Sequence, residues 1–244
     1  NYLKRIPGKK GSFFEVANHI FCFSATILDR VYFLTDQQNL FEIDIQGKEI
    51  LDEVLKQKTG CILLGAHVGS FEALRCLAIT QEHLPLKIMI HQDHNAMITK
   101  ILDELNPEVS ESVINLGDDE ALFKMKESID EGAFIGMLGD RVTEGVKQVD
   151  CKLLNDEIVM PAGPVTLASI LKVPVIMFFG IYRGGNRYSI YIEKLTDSVS
   201  APRNERNKVV QQYMQKYTDS IETMIKRYPY NWFNFYDYWS DESD

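Results

Sequence analysis

The stretch Cys61 to Arg75, CILLGAHVGSFEALR, decides the fold. Cys61, Ile62, Leu63 and Leu64 form a continuous apolar run, the pattern of a strand buried on both faces, and Gly65 ends it. Gly69 and Ser70 then supply helix-start chemistry, so the segment reads as strand, turn and helix. His67 is expected just outside the C-terminal end of a central strand, the edge at which open α/β sheets handle ligands.

Outward from this unit the pattern repeats. The hydrophobic periods predict a helix over 11–34, a strand over 40–46, a helix over 48–57, the strand at 60–66, a helix over 70–80, a strand over 86–91 and a helix over 95–105. A strand at 112–116, a helix at 118–131, strands at 133–139 and 149–154, a helix at 162–171, strands at 174–182 and 188–194 and a helix at 204–227 complete the series. Strands alternating with helices imply an α/β chain with a mixed, largely parallel central sheet flanked by helices. No Pro/Gly linker, repeat or low-complexity tract divides the sequence, so residues 1–244 are expected to form a single domain, with a helical N-terminal segment (1–34) and an aromatic tail (228–244). Gly184-Gly185-Asn186 reads as a hairpin turn.

His67 and Glu72 are a base and a carboxylate five residues apart. On one ideal helix that spacing puts them on different faces, so they meet only if His67 lies in the turn and Glu72 in the first helical turn. There Glu72 could accept the imidazole Nδ1 proton and leave Nε2 free to take a proton from a hydroxyl. The backbone amides of Gly69 and Ser70 could assist an oxyanion. By spacing alone the pair is more often a chance one, with His67 a satisfied structural histidine. Asp140-Arg141 closes the predicted strand at 133–139, with Arg141 placed to bind a phosphate or a thioester carbonyl and Asp140 to hold Arg141 or the acceptor, the alternative being a surface ion pair. Pro161-Ala162-Gly163-Pro164 either presents helix-start amides to an anion or is a structural turn.

Four blocks in this order resemble the lysophospholipid acyltransferase superfamily, and within it the late lipid A acyltransferases and the mycobacterial mannoside acyltransferases. His67-Val68-Gly69-Ser70-Phe71-Glu72 is similar to the His-x-x-x-x-Asp/Glu motif, Gly139-Asp140-Arg141 to the second block, Met160-Pro161-Ala162-Gly163-Pro164 to the third, and Tyr228-Pro229-Tyr230-Asn231-Trp232-Phe233 to the Trp-containing C-terminal block. The resemblance implies an acyltransferase that moves a fatty acyl group from a thioester, on acyl carrier protein or coenzyme A, to a hydroxyl of a lipid or glycolipid. It implies His67 as general base with Glu72 as its partner, no acyl-enzyme, and substrate contacts from Gly69, Ser70, Asp140, Arg141, Pro161 and Gly163. No resident cofactor and no metal are expected, the acyl thioester being a co-substrate. The expected place of work is the cytoplasmic face of a bacterial inner membrane, peripherally attached, or the cytoplasm. A thioesterase using water at the same site and a non-catalytic lipid-binding protein of the same fold are the alternatives.

Composition bounds the partners. The 244 residues carry a net charge of -9, and 45% are hydrophobic, enough to fill one core. A pI of about 5.1, with no basic patch interleaved with aromatics, argues against nucleic acid. Lys4, Arg5, Lys9 and Lys10 crowd the N-terminus, as a solvated tail or as a surface for phosphates or an acidic carrier protein. No run approaches the roughly 20 apolar residues that span a bilayer, and no signal-peptide pattern is legible.

The helix predicted from Phe13 to Leu34 has a broad apolar face and is expected to pack on the domain, an interfacial position being the other reading. Cys22, Cys61, Cys76 and Cys151 lack metal or redox spacing and read as free thiols. His91-Gln92-Asp93-His94 is thin support for a metal and is expected to line a pocket beside His67. Tyr228 to Trp239 holds eight aromatics in twelve positions, as a cap on the core, the lining of an acyl channel, or an interface anchor.

Overall fold

The computed structural model describes residues 2–35, 37–73, 85–90, 112–143, 145–202 and 204–239. A short helix α1 (Tyr2–Arg5) precedes the long α2 (Phe13–Leu34), which begins at a complete capping box: the Ser12 hydroxyl accepts from the Glu15 amide and the Glu15 carboxylate accepts from the Ser12 amide. There follow β1 (Glu42–Gln46), α3 (Lys48–Gln57), β2 (Cys61–Gly69), β3 (Leu86–Ile90), β4 (Val113–Asn115), α4 (Ala121–Asp130) and β5 (Phe134–Leu138). The series ends with β6 (Gln148–Leu153), β7 (Asp156–Pro161), α5 (Gly163–Leu171), β8 (Val175–Tyr182), β9 (Arg187–Thr196) and α6 (Arg206–Arg227).

Among the described residues, seven strands form one sheet in the order β1-β9-β8-β2-β5-β3-β4. All neighbours are parallel except β8 and β9, which form the hairpin turned by Gly184 and Gly185. The mixed, largely parallel α/β sheet expected from the alternation of elements is therefore present. Strands β6 and β7 make a separate antiparallel hairpin, and of the turn expected at Pro161-Ala162-Gly163-Pro164 the first residue ends β7 while Gly163 already opens α5. Pro161 can end that strand because its missing N–H demands no further ladder partner.

Strand β2 lies at the centre, and alternation along it divides the core. Ile62, Leu64, Ala66 and Val68 join one cluster with α1, α4, α5 and α6, while Cys61 and Leu63 join a second with Phe33 of α2 and Leu51 and Val54 of α3. The two clusters cover opposite faces, which explains why the strand is apolar without interruption.

The strand outruns its expected end. Pairing with β5 stops at Gly65 opposite Leu138, and the register with β8 shifts between Gly65 and Gly69. Residues from the C-terminal segment then take the place beside β2 that β5 vacates: the Phe233 amide donates to His67 O at 2.8 Å, and the Gly69 amide to Asn231 O at 2.7 Å. His67 is thus a strand residue rather than a turn residue. A side chain at Gly69 is excluded, since φ is +77° and a Cβ would lie 2.0 Å from Gly180 O.

Candidate active site

His67 Nδ1 lies 2.7 Å from Asp140 Oδ1, and the His67 amide donates to Asp140 Oδ2 at 3.0 Å. One carboxylate thus holds both the ring and the backbone of the histidine. The arrangement follows from the strand ends: β5 stops at Leu138, Gly139 N still donates to Gly65 O at 3.0 Å, and the next residue, Asp140, reaches across to the extended part of β2. Gly139 has no room for a side chain, because a Cβ there would lie 2.6 Å from Leu64 Cδ1 and 3.1 Å from Pro164 Cγ.

Asp140 is fully buried, whereas the His67 side chain keeps 26% of its surface exposed. Two more donors converge on Asp140 Oδ2: Trp232 Nε1 at 3.1 Å and Asn234 Nδ2 at 3.4 Å. Burial by itself raises the carboxyl pKa. The charge of His67, with hydrogen bonds from its ring, from the Trp232 indole and from its amide, outweighs that and holds the group at about 2. Asp140 is therefore an anion at any working pH, its Nδ1 contact fixes the imidazole tautomer, and Nε2 is the basic nitrogen.

The second residue of the expected pair is elsewhere. Glu72 forms an ion pair with Arg30 of α2 at 2.7 Å and accepts from Ser70 Oγ at 3.3 Å. His67 turns to Asp140 because β2 continues through it, carrying its ring toward the end of β5, while Glu72 follows beyond Gly69 and meets α2. The two amides expected to serve an oxyanion are also occupied: Gly69 N donates to Asn231 O, and Ser70 N to Gly180 O at 2.7 Å. They close the junction between β2, β8 and the C-terminal segment.

Arg141 is not paired with Asp140. Its Nε donates to Asn234 Oδ1 at 2.8 Å and its Nη2 to Phe233 O at 2.9 Å, while the side chain stays exposed beside the Tyr236 ring. Pro161 is buried at the end of β7, and Gly163 opens α5, whose Pro164 abuts Gly139 one residue before Asp140. Tyr238 ties these blocks together, donating to Asp140 O at 2.7 Å and lying 3.1 Å from Met160 Sδ.

The tail is a cap on both core and site. Trp232 is fully buried, its Nε1 held by Asp140 and its ring edge-on to Tyr2 at 5.0 Å. His19 of α2 donates from Nε2 to Trp232 O at 2.7 Å. Trp232, Asn234, Tyr238 and His19 are the supporting residues that reasoning from spacing misses; the resemblance to a Trp-containing block pointed to Trp232 and the density of aromatics after Tyr228 to its neighbours, while nothing in the sequence pointed to His19.

Residues 16–240 match the model of the bacterial lipid A biosynthesis acyltransferase family. The chain belongs to that family. It is an acyltransferase with a lipid acceptor. A search of curated proteins found no match. His67-to-Glu72, Gly139-to-Arg141, Met160-to-Pro164 and Tyr228-to-Phe233 all fall inside the matched residues, and in the fold of this acyltransferase the first and the last of these blocks meet at Asp140 of the second.

Among the described residues no group of His, Cys, Asp and Glu has the arrangement of a metal site. His91 to His94 and Cys76 lie outside the described residues, as do the helices expected at 95–105 and over most of 70–80. No helix among the described residues is long and apolar enough to cross a membrane. Cys61 and Cys151 are buried free thiols, and Cys22 is half-buried.

Proposed function

We propose that His67 is the general base of a direct acyl transfer from a thioester, carried by acyl carrier protein or coenzyme A, to a hydroxyl of a lipid or glycolipid. The observation that carries this reading is the His67–Asp140 pair, with a buried anion on Nδ1 and a ring that keeps 26% of its surface exposed. Nε2 takes the hydroxyl proton as the acceptor oxygen attacks the thioester carbonyl; the C–S bond breaks, and the imidazolium returns the proton to the departing thiolate. Asp140 stabilises the imidazolium through the 2.7 Å contact.

An acyl-enzyme has little support. Ser70 is buried with its hydroxyl directed to Glu72, and Cys61 and Cys151 are buried with thiol pKa values raised by burial. Arg141, exposed beside the site, is the group proposed to meet the donor's phosphate or the thioester carbonyl, and the start of α5 at Gly163 is proposed to line the same substrate region with Pro161 behind it. Glu72 anchors α2 through Arg30. The acyl thioester serves as co-substrate with no resident cofactor, at the cytoplasmic face of a bacterial inner membrane.

The test is transfer of labelled acyl groups from acyl carrier protein and coenzyme A thioesters to a bacterial lipid extract. A labelled lipid that vanishes in His67→Ala supports the reading. Release of free acid alone assigns a thioesterase, and a His67→Ala protein as active as the parent refutes the role of His67.

A further inference from the structure

We infer that the outer face of α2 is the surface by which this protein binds a lipid bilayer, lying in the interface rather than crossing it. The inference rests on the proposed action upon a membrane lipid, and it comes from an inverted pattern. A helix packed on a soluble domain turns its apolar stripe inward and its charges outward. In α2 the charged and titratable residues beyond the capping box turn to the domain: His19 bonds Trp232 O, Asp29 accepts from Tyr188 Oη at 2.7 Å, and Arg30 pairs with Glu72.

The opposite face is apolar apart from the exposed Ser24. At about 100° per residue, Phe13, Phe14, Ile20, Phe21, Leu28 and Val31 fall within an arc of roughly 120°. Phe13 is 81% exposed, Phe14 82%, Phe21 62% and Leu28 61%. The 22 residues make a strip on the order of 33 Å long. Sequence reasoning expected this helix to pack on the domain; it does so through Phe33, Leu34, His19 and Thr26, which are buried, and it leaves this second apolar arc to solvent.

A bilayer is the occupant these observations favour. The family's acceptor is a lipid, and α2 grips a support of the site: His19 holds the Trp232 segment that donates to Asp140. The apolar patch also continues toward the site. Phe235, 53% exposed, packs on Phe23 of α2 at 5.1 Å, and the neighbouring Tyr236 lies beside Arg141. Lys4 and Lys10 are exposed near the start of α2, where they suit lipid phosphates against the acidic balance of the whole chain. Aromatic and aliphatic side chains on one face, with cations at one end, are what an interfacial helix presents. Docked in this way, the protein would take its acceptor from the surface on which it lies.

Flotation with vesicles of phosphatidylethanolamine and phosphatidylglycerol tests this. The parent and His67→Ala are expected to float equally, because binding does not need catalysis. The combined variant Phe14→Gln, Phe21→Gln and Leu28→Gln is expected to lose at least about 100-fold in partition coefficient while keeping its thermal midpoint. As a check that needs no loss of binding, Phe14→Trp fluorescence should be quenched by phospholipids with brominated acyl chains, with Trp232 and Trp239 too buried to contribute. Failure of the parent to float, equal flotation of the combined variant, absence of quenching, or a solution dimer that the combined variant converts to monomer would each overturn the inference. Flotation without any acyl transfer would leave the bilayer face standing and remove the catalytic reading instead.

Discussion

Asp140→Asn separates the geometry of this site from the pairing its sequence suggests. The carboxylate receives the imidazole on Oδ1 and three donors on Oδ2: the His67 amide, Trp232 Nε1 and Asn234 Nδ2. An asparagine has one acceptor oxygen and one NH2. Its oxygen must occupy the Oδ2 position, where the donors would otherwise face an NH2 group, so the NH2 is turned toward His67 Nδ1. That nitrogen then accepts, the ring proton moves to Nε2, and the base is lost from the side open to the acceptor. The anion that stabilises the imidazolium is lost as well. A unit charge about 4 Å away at an effective dielectric of about 20 contributes about 4 kcal/mol, and the partial exposure of His67 reduces this to about 2–4 kcal/mol, or roughly 30- to 1,000-fold in kcat. KM for the donor should change little, since Asp140 is sealed from solvent. Glu72→Gln breaks only the Arg30 pair and should lower kcat by no more than about threefold. The assay is initial-rate transfer at saturating acyl thioester, with thermal unfolding of each variant as a control. The reasoning is refuted if Glu72→Gln lowers kcat more than Asp140→Asn, or if Asp140→Asn keeps above about a tenth of parental kcat.

Trp232→Phe keeps a ring in the fully buried pocket but removes one donor to Asp140; kcat should fall about tenfold and unfolding free energy by about 1–2 kcal/mol in denaturant titration. Gly69→Ala places a methyl 2.0 Å from Gly180 O at a φ of +77°, and should cost at least about 3 kcal/mol, read as a drop in thermal midpoint or a loss of soluble protein. His19 is buried, which lowers its pKa against the opposing effect of the Trp232 carbonyl. The unfolded chain therefore binds the proton more readily, and stability falls as pH drops below the ordinary histidine value of about 6.5. His19→Gln retains a donor for Trp232 O without a titrating group, so its thermal midpoint should decline less than the parent's over that acid range.

The local chemistry of single segments determined much of this protein. The uninterrupted apolar run from Cys61 could only be a strand covered on both faces, and the succession of such runs with helical periods left a largely parallel sheet as the arrangement that buries them. Strand ends mark where polar residues gather, so His67, Asp140 and Arg141 were legible as candidates one by one. Their pairing was not. His67 and Glu72 are neighbours in sequence, and spacing reports only neighbours; His67 and Asp140 are 73 residues apart and meet because β5 stops at Leu138, opposite Gly65, while β2 continues to Gly69. The aromatic tail had three readings until Trp232 was seen against Asp140, since burial depends on what packs over a residue from elsewhere in the chain. The same holds for α2. Its periodicity showed a broad apolar face, but which residues turn inward is decided by partners such as Trp232, Tyr188 and Glu72, brought to it only by tertiary structure.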